Sequence, residues 1–171
     1  MIKLNQNNNK SSIPFKEEIM RINIKKAETI AECEECNQML SELIKYEIAF
    51  DESIVPRTNI SDHYERILNK DDAIIFCAEC DNKSAGYVAA YKNTPKNSKE
   101  SFVVIINLFI KPEFRRLGLG KALISEVEKW AHNKFNISLI ELDCFIDNKS
   151  ALQFYSSLDF KPIRVKMRKR V

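Results

Sequence analysis

The sequence predicts an α/β protein, an α+β mixed sheet with its elements in the order β-α-α-β-β-β-α-β-α-β. Three observations carry that prediction. Residues 102–110 are apolar on both faces apart from Asn107, as a strand at the centre of a covered sheet must be. A short glycine turn then opens a helical pattern that runs to Asn133, and a further strand pattern follows at 139–145. A strand–helix–strand crossover of that length makes the two strands parallel. Ahead of it, 73–80 and 85–92 read as two strands joined by Asp81-Asn82-Lys83-Ser84, whose residue types suit a hairpin turn.

Taken in order, residues 1–18 are polar and asparagine-rich without a period. They predict a disordered tail ahead of a single domain spanning 19–171. Residues 19–25 alternate, Ile22 and Ile24 against Asn23 and Lys25, and read as the first strand. Thr29 and Glu32 form a capping-box start for a helix reaching Phe50. Its apolar face carries Cys33, Cys36, Leu40, Leu43, Ile44 and Ile48. Asp62 is expected to cap a shorter helix ending at Leu68. After the hairpin, 93–100 is a polar loop. The helix that follows Gly118 places Leu119, Leu123, Val127, Trp130 and Ala131 along one stripe. Residues 150–158 read as a further helix. Ile163, Val165 and Met167 alternate with Arg164, Lys166 and Arg168, which predicts a last strand.

A chain of 171 residues is long enough for one domain with one core. A net charge of +3 is too small to mark a nucleic-acid binder. The longest apolar run is too short to span a bilayer. The amino-terminal residues hold no apolar signal core, and an odd count of five cysteines fits reduced thiols, so a cytoplasmic setting is expected.

The segment with the most chemical content is Arg115-Arg116-Leu117-Gly118-Leu119-Gly120. A strand, a glycine turn and a helix in succession make a phosphate-binding arrangement. The first turn of a helix leaves N–H groups unpaired, and its dipole makes that end positive. Glycines at 118 and 120 let an anion approach the backbone with no Cβ in the way. Three patterns compete for the ligand. The nucleotide P-loop needs a glycine where Arg115 stands and a Ser or Thr where Ala122 stands. The dinucleotide fingerprint needs a small residue where Leu123 stands. The remaining pattern, Arg/Gln-x-x-Gly-x-Gly/Ala, is filled by Arg115, Gly118 and Gly120. Here the chain resembles the GNAT superfamily of N-acetyltransferases, down to the lead-in Ile110-Lys111-Pro112-Glu113-Phe114.

A second stretch strengthens the resemblance. Asn148-Lys149-Ser150-Ala151-Leu152-Gln153-Phe154-Tyr155, followed by Leu158-Asp159-Phe160, is similar to the family's Asn-x-x-Ala-x-x-Phe-Tyr-x-x-x-Gly-Phe segment. Asp159 replaces the glycine, and Asp tolerates the left-handed backbone that a helix stop requires. The element order is also that of the family. Specific motifs cover 102–160, and the architecture covers roughly 20–169.

The resemblance implies acetyl-CoA as co-substrate, an amine as acceptor, and no metal. It implies that the backbone N–H groups of Arg116, Leu117, Gly118, Leu119, Gly120 and Lys121, in the loop opened by Arg115, hold the pyrophosphate. It also implies that Leu108, Phe109 and Ile110 offer backbone groups to the pantetheine arm. Asn148 would bond that arm, and as a residue favoured at helix starts it would also cap the following helix. Tyr155 is the candidate general acid toward the departing thiolate, since a phenol can donate a proton or a hydrogen bond. The general base stays open. Many members carry a glutamate near the position of Val104, but residues 101–110 hold no carboxylate. Glu100, Glu141, Asp143, a residue of the two early helices, and bulk water reached by a relay all compete.

Residues 28–52 carry Glu28, Glu32, Glu34, Glu35, Glu42, Glu47, Asp51 and Glu52 against Lys45 alone. In this family that segment borders the acceptor pocket, where an acidic wall would concentrate a small cationic amine. Asp51 and Glu52 are the best placed of them. A homodimer is also in keeping with the family. Two CxxC pairs, Cys33/Cys36 and Cys77/Cys80, raise a zinc reading. The first lies on an apolar helix face and the second in a strand, where residues three apart point to opposite sides. Buried thiols are therefore expected. The rival to an enzyme is a domain that binds acyl-CoA and senses or presents it without turnover.

Overall fold

The computed structural model describes residues 20–56, 60 and 62–171; the tail expected at 1–18 lies outside them. The described elements are β1 (Ile22–Lys26), α1 (Ile30–Glu47), α2 (Glu65–Leu68), β2 (Ala73–Cys80), β3 (Lys83–Asn93), β4 (Phe102–Ile110), α3 (Leu119–Phe135), β5 (Ile140–Leu142) and α4 (Lys149–Ser156). The strands form one sheet in the order β1-β2-β3-β4-β5, antiparallel except for the β4–β5 pair. The mixed α/β fold is the expected one.

Local chemistry explains the ends of the elements. Thr29 and Glu32 close a full capping box on α1. Asp81 and Asn82 both adopt positive φ, 48° and 62°, which is what a two-residue hairpin turn demands. Cys80 pairs with Lys83 directly across it, so β3 starts earlier than expected. At the end of α4, Asp159 takes φ 66°. Its N–H reaches the Ser156 carbonyl at 3.2 Å, and the Phe160 N–H reaches that of Tyr155 at 3.1 Å. That pair of bonds is a Schellman stop, with Asp in the usual place of glycine.

Three expectations are corrected. The cap of α2 is Tyr64, not Asp62, which sits outside the helix at φ 59°. β5 is three residues long and stops at Leu142, because the chain turns at Phe145–Asn148 to enter α4. Residues 163–168 form no strand. Their alternation suits a half-buried edge, but Ile163, Val165 and Met167 are all exposed. What fixes the segment instead is an ion pair, Arg168 to Asp51 at 2.8 Å.

The sheet separates two cores. On one face α3 buries Leu119, Leu123, Ile124, Val127 and Ala131 against Val88, Val103 and Ile105, with α4 packed alongside through Phe154, Tyr155 and Leu158. On the other, α1 and Tyr64 bury Cys33, Cys36, Met39 and Leu40 against Ile75, Cys77, Tyr87 and Phe109. β4 serves both faces by means of a bulge. Ala90 pairs with Ile105 and Ala89 with Asn107, which leaves Ile106 as the extra residue. Before the bulge odd-numbered side chains face α3; after it Leu108 and Ile110 do, while Phe109 faces α1.

Candidate active site

The bulge marks the point where the sheet opens. β4 pairs with β5 only over Val103–Ile105 against Ile140–Leu142. β4 then runs on to Ile110 while β5 has ended. Among the described residues no strand covers the outer edge of β4 from Ile106 onward. The two strands therefore enclose a wedge, with unpaired backbone polar groups along one wall. Leu108, Phe109 and Ile110 line that wall. Their side chains belong to the two cores, so only backbone is on offer: the Lys111 N–H bonds the Ala85 carbonyl, so by strand alternation Phe109 turns its backbone groups to β3 and Leu108 and Ile110 turn theirs to the open edge, where the Ile110 carbonyl is already taken by Arg115.

The loop 115–120 stands at the end of the same strand. Arg115 donates from Nε to the Ile110 carbonyl at 3.0 Å, and its guanidinium lies over the Tyr46 ring at 5.6 Å. One side chain thus ties the loop both to β4 and to the last turn of α1. Arg116 takes φ 64° and Gly118 φ 82°. A left-handed arginine costs about 1 kcal/mol, and such strain tends to be kept where a ligand needs the backbone shape. Gly118 is the N-cap of α3; it has no side chain to cap the helix, and no acidic residue occupies the first turn. The N–H groups of that turn and the positive end of the dipole are therefore left without a side-chain cap, and a Cβ on Gly118 would meet nothing within 4 Å. That cradle fits a diphosphate. Arg116 and Lys121 are exposed beside it, whereas Leu119 is buried and Leu117 half-buried, so these two can contribute backbone alone.

Gly120 has a packing task that its sequence context does not suggest. A Cβ there would lie 3.0 Å from Cζ of Phe154. Its smallness serves the close approach of α4 to α3. Next to Phe154 stands Tyr155, tilted against it at 5.2 Å and edge-on to Phe160 at 5.7 Å. Burial first, then the neighbouring Cys144 and Glu47, push the Tyr155 phenol well above its ordinary pKa. It is held as a proton-bearing donor. Asn148 caps α4, its Oδ1 accepting the Ala151 N–H at 3.1 Å. Only its amide NH2 can serve a ligand.

Asp51, expected to border the acceptor pocket, is engaged in an ion pair. Its two oxygens take a bidentate pair from Arg168 at 2.9 and 2.8 Å, and Ser53 donates to it as well. Two features were not singled out by the sequence. One is Glu47, the last residue of α1, half-buried and with no cation paired to it among the described residues. The other is a buried hydroxyl chain: the Tyr64 hydroxyl lies 2.9 Å from the Tyr87 hydroxyl and 2.9 Å from Oδ1 of Asn107. Tyr64 has one proton to give, so Tyr87 donates to Tyr64 and Tyr64 to Asn107. This fixes the side chain of the first residue past the bulge. Asn107, the polar break in an apolar run, was the one available signal for it.

The cysteines separate as strand geometry requires: Cys77 faces α1 and Cys80 faces α3. Cys36 and Cys77 meet at 3.6 Å between sulfurs. Among the described residues no three His, Cys, Asp or Glu side chains gather as a metal site would need. No helix among them is long and apolar enough to cross a membrane.

Known proteins share this fold. The model of the Acetyltransferase (GNAT) family matches residues 36–160. An N-acetyltransferase of Methanocaldococcus jannaschii, itself uncharacterized, is 31% identical over 100 residues, which is 58% of this chain and 44% of that protein. The chain spans about half the length of the curated relatives it matches. Among solved structures, a tetramutant of a Bacillus halodurans protein superposes with a TM-score of 0.75 at 16% identity, over 87% of this chain and 99% of that one. An aminoglycoside N-acetyltransferase in complex with CoA gives 0.62 at 20% identity, over 89% and 95%.

Proposed function

Because the chain belongs to the GNAT acetyltransferase family, we propose that it transfers an acetyl group from acetyl-CoA to a primary amine, by direct attack of the bound amine in a ternary complex. The observation that carries this reading is the wedge between β4 and β5 with an uncapped glycine-started helix at its end. Its length along Ile106–Ile110 suits an extended pantetheine arm bonded to the strand edge, and the loop at 115–120 suits the diphosphate. Bound there, the coenzyme supplies an acyl carbon activated as a thioester.

The chain's own residues do the rest. Backbone N–H groups of 116–121 neutralise the diphosphate, with Arg116 and Lys121 adding charge from the rim. Outward backbone groups of Leu108 and the Ile110 N–H orient the arm and polarise the acyl carbonyl, while Phe109 between them holds the strand to β3. Asn148 holds α4 in place and presents its amide. Tyr155 keeps its proton at every physiological pH and donates a hydrogen bond toward the leaving sulfur.

For the acceptor we favour a small cationic amine. The acidic composition of α1 supports this, and one structural neighbour is an aminoglycoside acetyltransferase. Residues 20–171 act as one catalytic unit in this reading. A cytoplasmic setting is supported by five cysteines that are all free thiols.

A second reading, a domain that binds acyl-CoA without turnover, is favoured by one observation, the lack of a carboxylate in Phe102–Ile110. Thiol release from acetyl-CoA separates the two. The purified chain should release CoA thiol faster with spermidine, kanamycin or an alanyl tripeptide than with buffer alone. Tight acetyl-CoA binding with no amine-dependent release would favour the second reading.

A further inference from the structure

The proposed reaction leaves a gap: an ammonium acceptor must lose a proton before it attacks, and β4 supplies no base. We propose that Glu47 is the residue that receives the acceptor's ammonium and takes its proton, acting from the end of α1 rather than from the central strand. This rests on the transferase reading above.

Its placement argues for it. The turn that carries Glu47 spans the mouth of the wedge. Tyr46 lies under the Arg115 guanidinium of the anion loop, and Phe50 stacks on Phe145 beyond β5 at 6.0 Å, with Tyr46 and Phe50 themselves in edge contact at 5.3 Å. Glu47 sits between those two anchors. Burial is the main cause that raises the pKa of Tyr87 on β3, of Cys144 after β5 and of Tyr155 on α4, and in each a negative charge on Glu47 adds to it. Tyr87 belongs to the α1 face of the sheet and Tyr155 packs on the α3 face. One carboxylate reaches both faces only where the sheet is open, which is the wedge itself.

The groups around it explain its state. Tyr87, Cys144 and Tyr155 face it from three elements and are all neutral acids. Arg115 is turned to Tyr46, and Asp51 is neutralised by Arg168. With no cation beside it, burial raises the carboxyl above its ordinary value. That is the condition of a base waiting for a cationic substrate. Glu141 is the competitor on the sheet, since it pairs with Val104. It stands where β4 and β5 are still joined, short of the wedge. Asp143 is exposed.

The step is a single proton transfer. An N–H bond of the ammonium breaks and an O–H bond forms on Glu47, giving a neutral amine and a neutral carboxylic acid. After product leaves, the proton passes to bulk water.

The test is Glu47→Gln, with Glu47→Asp, Glu141→Gln and Asp143→Asn as companions. Three readouts are used: kcat/KM against pH with the fastest of spermidine, kanamycin and an alanyl tripeptide; melting temperature against pH; and the rate of Cys144 alkylation by iodoacetamide. Glu47→Gln should lower turnover at least tenfold, leave the acetyl-CoA KM within about twofold and abolish the acid limb of the profile, with Glu47→Asp restoring part of it. A group whose carboxyl is raised on folding disfavours the fold once it is charged. Glu47→Gln should therefore melt higher than the parent at pH 8, with the difference lost as pH falls below the ordinary carboxylate range. Cys144 should alkylate faster at pH 8, because the charge that raises its pKa is gone.

Turnover within about twofold of the parent and an unchanged acid limb would overturn the assignment, as would loss of that limb in Glu141→Gln or Asp143→Asn instead. Absence of turnover by the parent chain on all probes, with coenzyme bound, would remove the transferase reading on which the inference stands.

Discussion

Gly120 and Phe154 are matched across the junction of α3 and α4: a single added Cβ on Gly120 would lie 3.0 Å from the Phe154 ring. Through this contact the helix that begins the anion cradle is registered against the helix that carries Tyr155. The coenzyme loop and the proposed proton donor are thus one mechanical unit, although they lie far apart in sequence.

The two residues should be energetically coupled. Gly120→Val should destabilise by about 1–3 kcal/mol by overpacking, and Phe154→Ala by about 3 kcal/mol by leaving a cavity. The double variant should cost at least about 1 kcal/mol less than the sum, because the space vacated by one accommodates the other. Urea denaturation of the four proteins measures this.

Gly118 should behave differently. Open space surrounds its missing Cβ, but its φ is +82°. Gly118→Ala should cost about 1–2 kcal/mol through backbone strain alone, and Gly118→Asn less, since Asn tolerates the left-handed region. A similar loss with both would point to a steric origin.

Tyr155→Phe should leave acetyl-CoA affinity within about twofold and lower turnover about tenfold to a hundredfold, the range for loss of a general acid. Because burial raises the phenol, its neutral form is favoured by folding. The stability it contributes is present below the ordinary tyrosine pKa and is lost as pH rises above it. A melting curve series should show the parent falling more steeply than Tyr155→Phe above about pH 10.

Acid should act first where α1 meets the sheet. Lys25 bridges Glu32 and Glu79 at 2.8 Å each, and Glu32 also closes the capping box. The Lys25 ammonium, then the Glu28 N–H, hold the Glu32 carboxyl down to about 2. Stability from this group is present above the ordinary carboxylate range and is lost as pH falls toward about 2. Glu32→Gln keeps the cap and loses the ion pair, so it should flatten that acid slope while changing stability at pH 7 by less than about 1 kcal/mol. Denaturation at pH 3 and 7 checks it.

Much of this was legible in the chain, for reasons that differ by element. Phe102–Ile110 reads as a central strand because both of its faces are covered, and the periods of α1 and α3 report the faces they bury. The loop at 115–120 is legible because its backbone shape demands particular residue types. Residues 163–168 misled because period two states only that a segment could be half-buried, not that a strand edge is there to receive it. Glu47 was one of eight carboxylates with nothing in the chain to single it out, because its half-burial depends on the elements folded around it. Ile106 carries no mark of a bulge; its place follows from a register shared with β3.

In the proposed function the wedge and the loop at its end form an acetyl-CoA site. Its most direct test is the melting temperature of the chain with and without acetyl-CoA. At a hundred times the dissociation constant a ligand adds about 2.7 kcal/mol, a rise of roughly 5–10 °C for a domain of this size. A rise of that order in the parent chain is the expected result. No shift at millimolar acetyl-CoA would contradict the account, since the open helix end and the unpaired strand edge would then have to be structural features only.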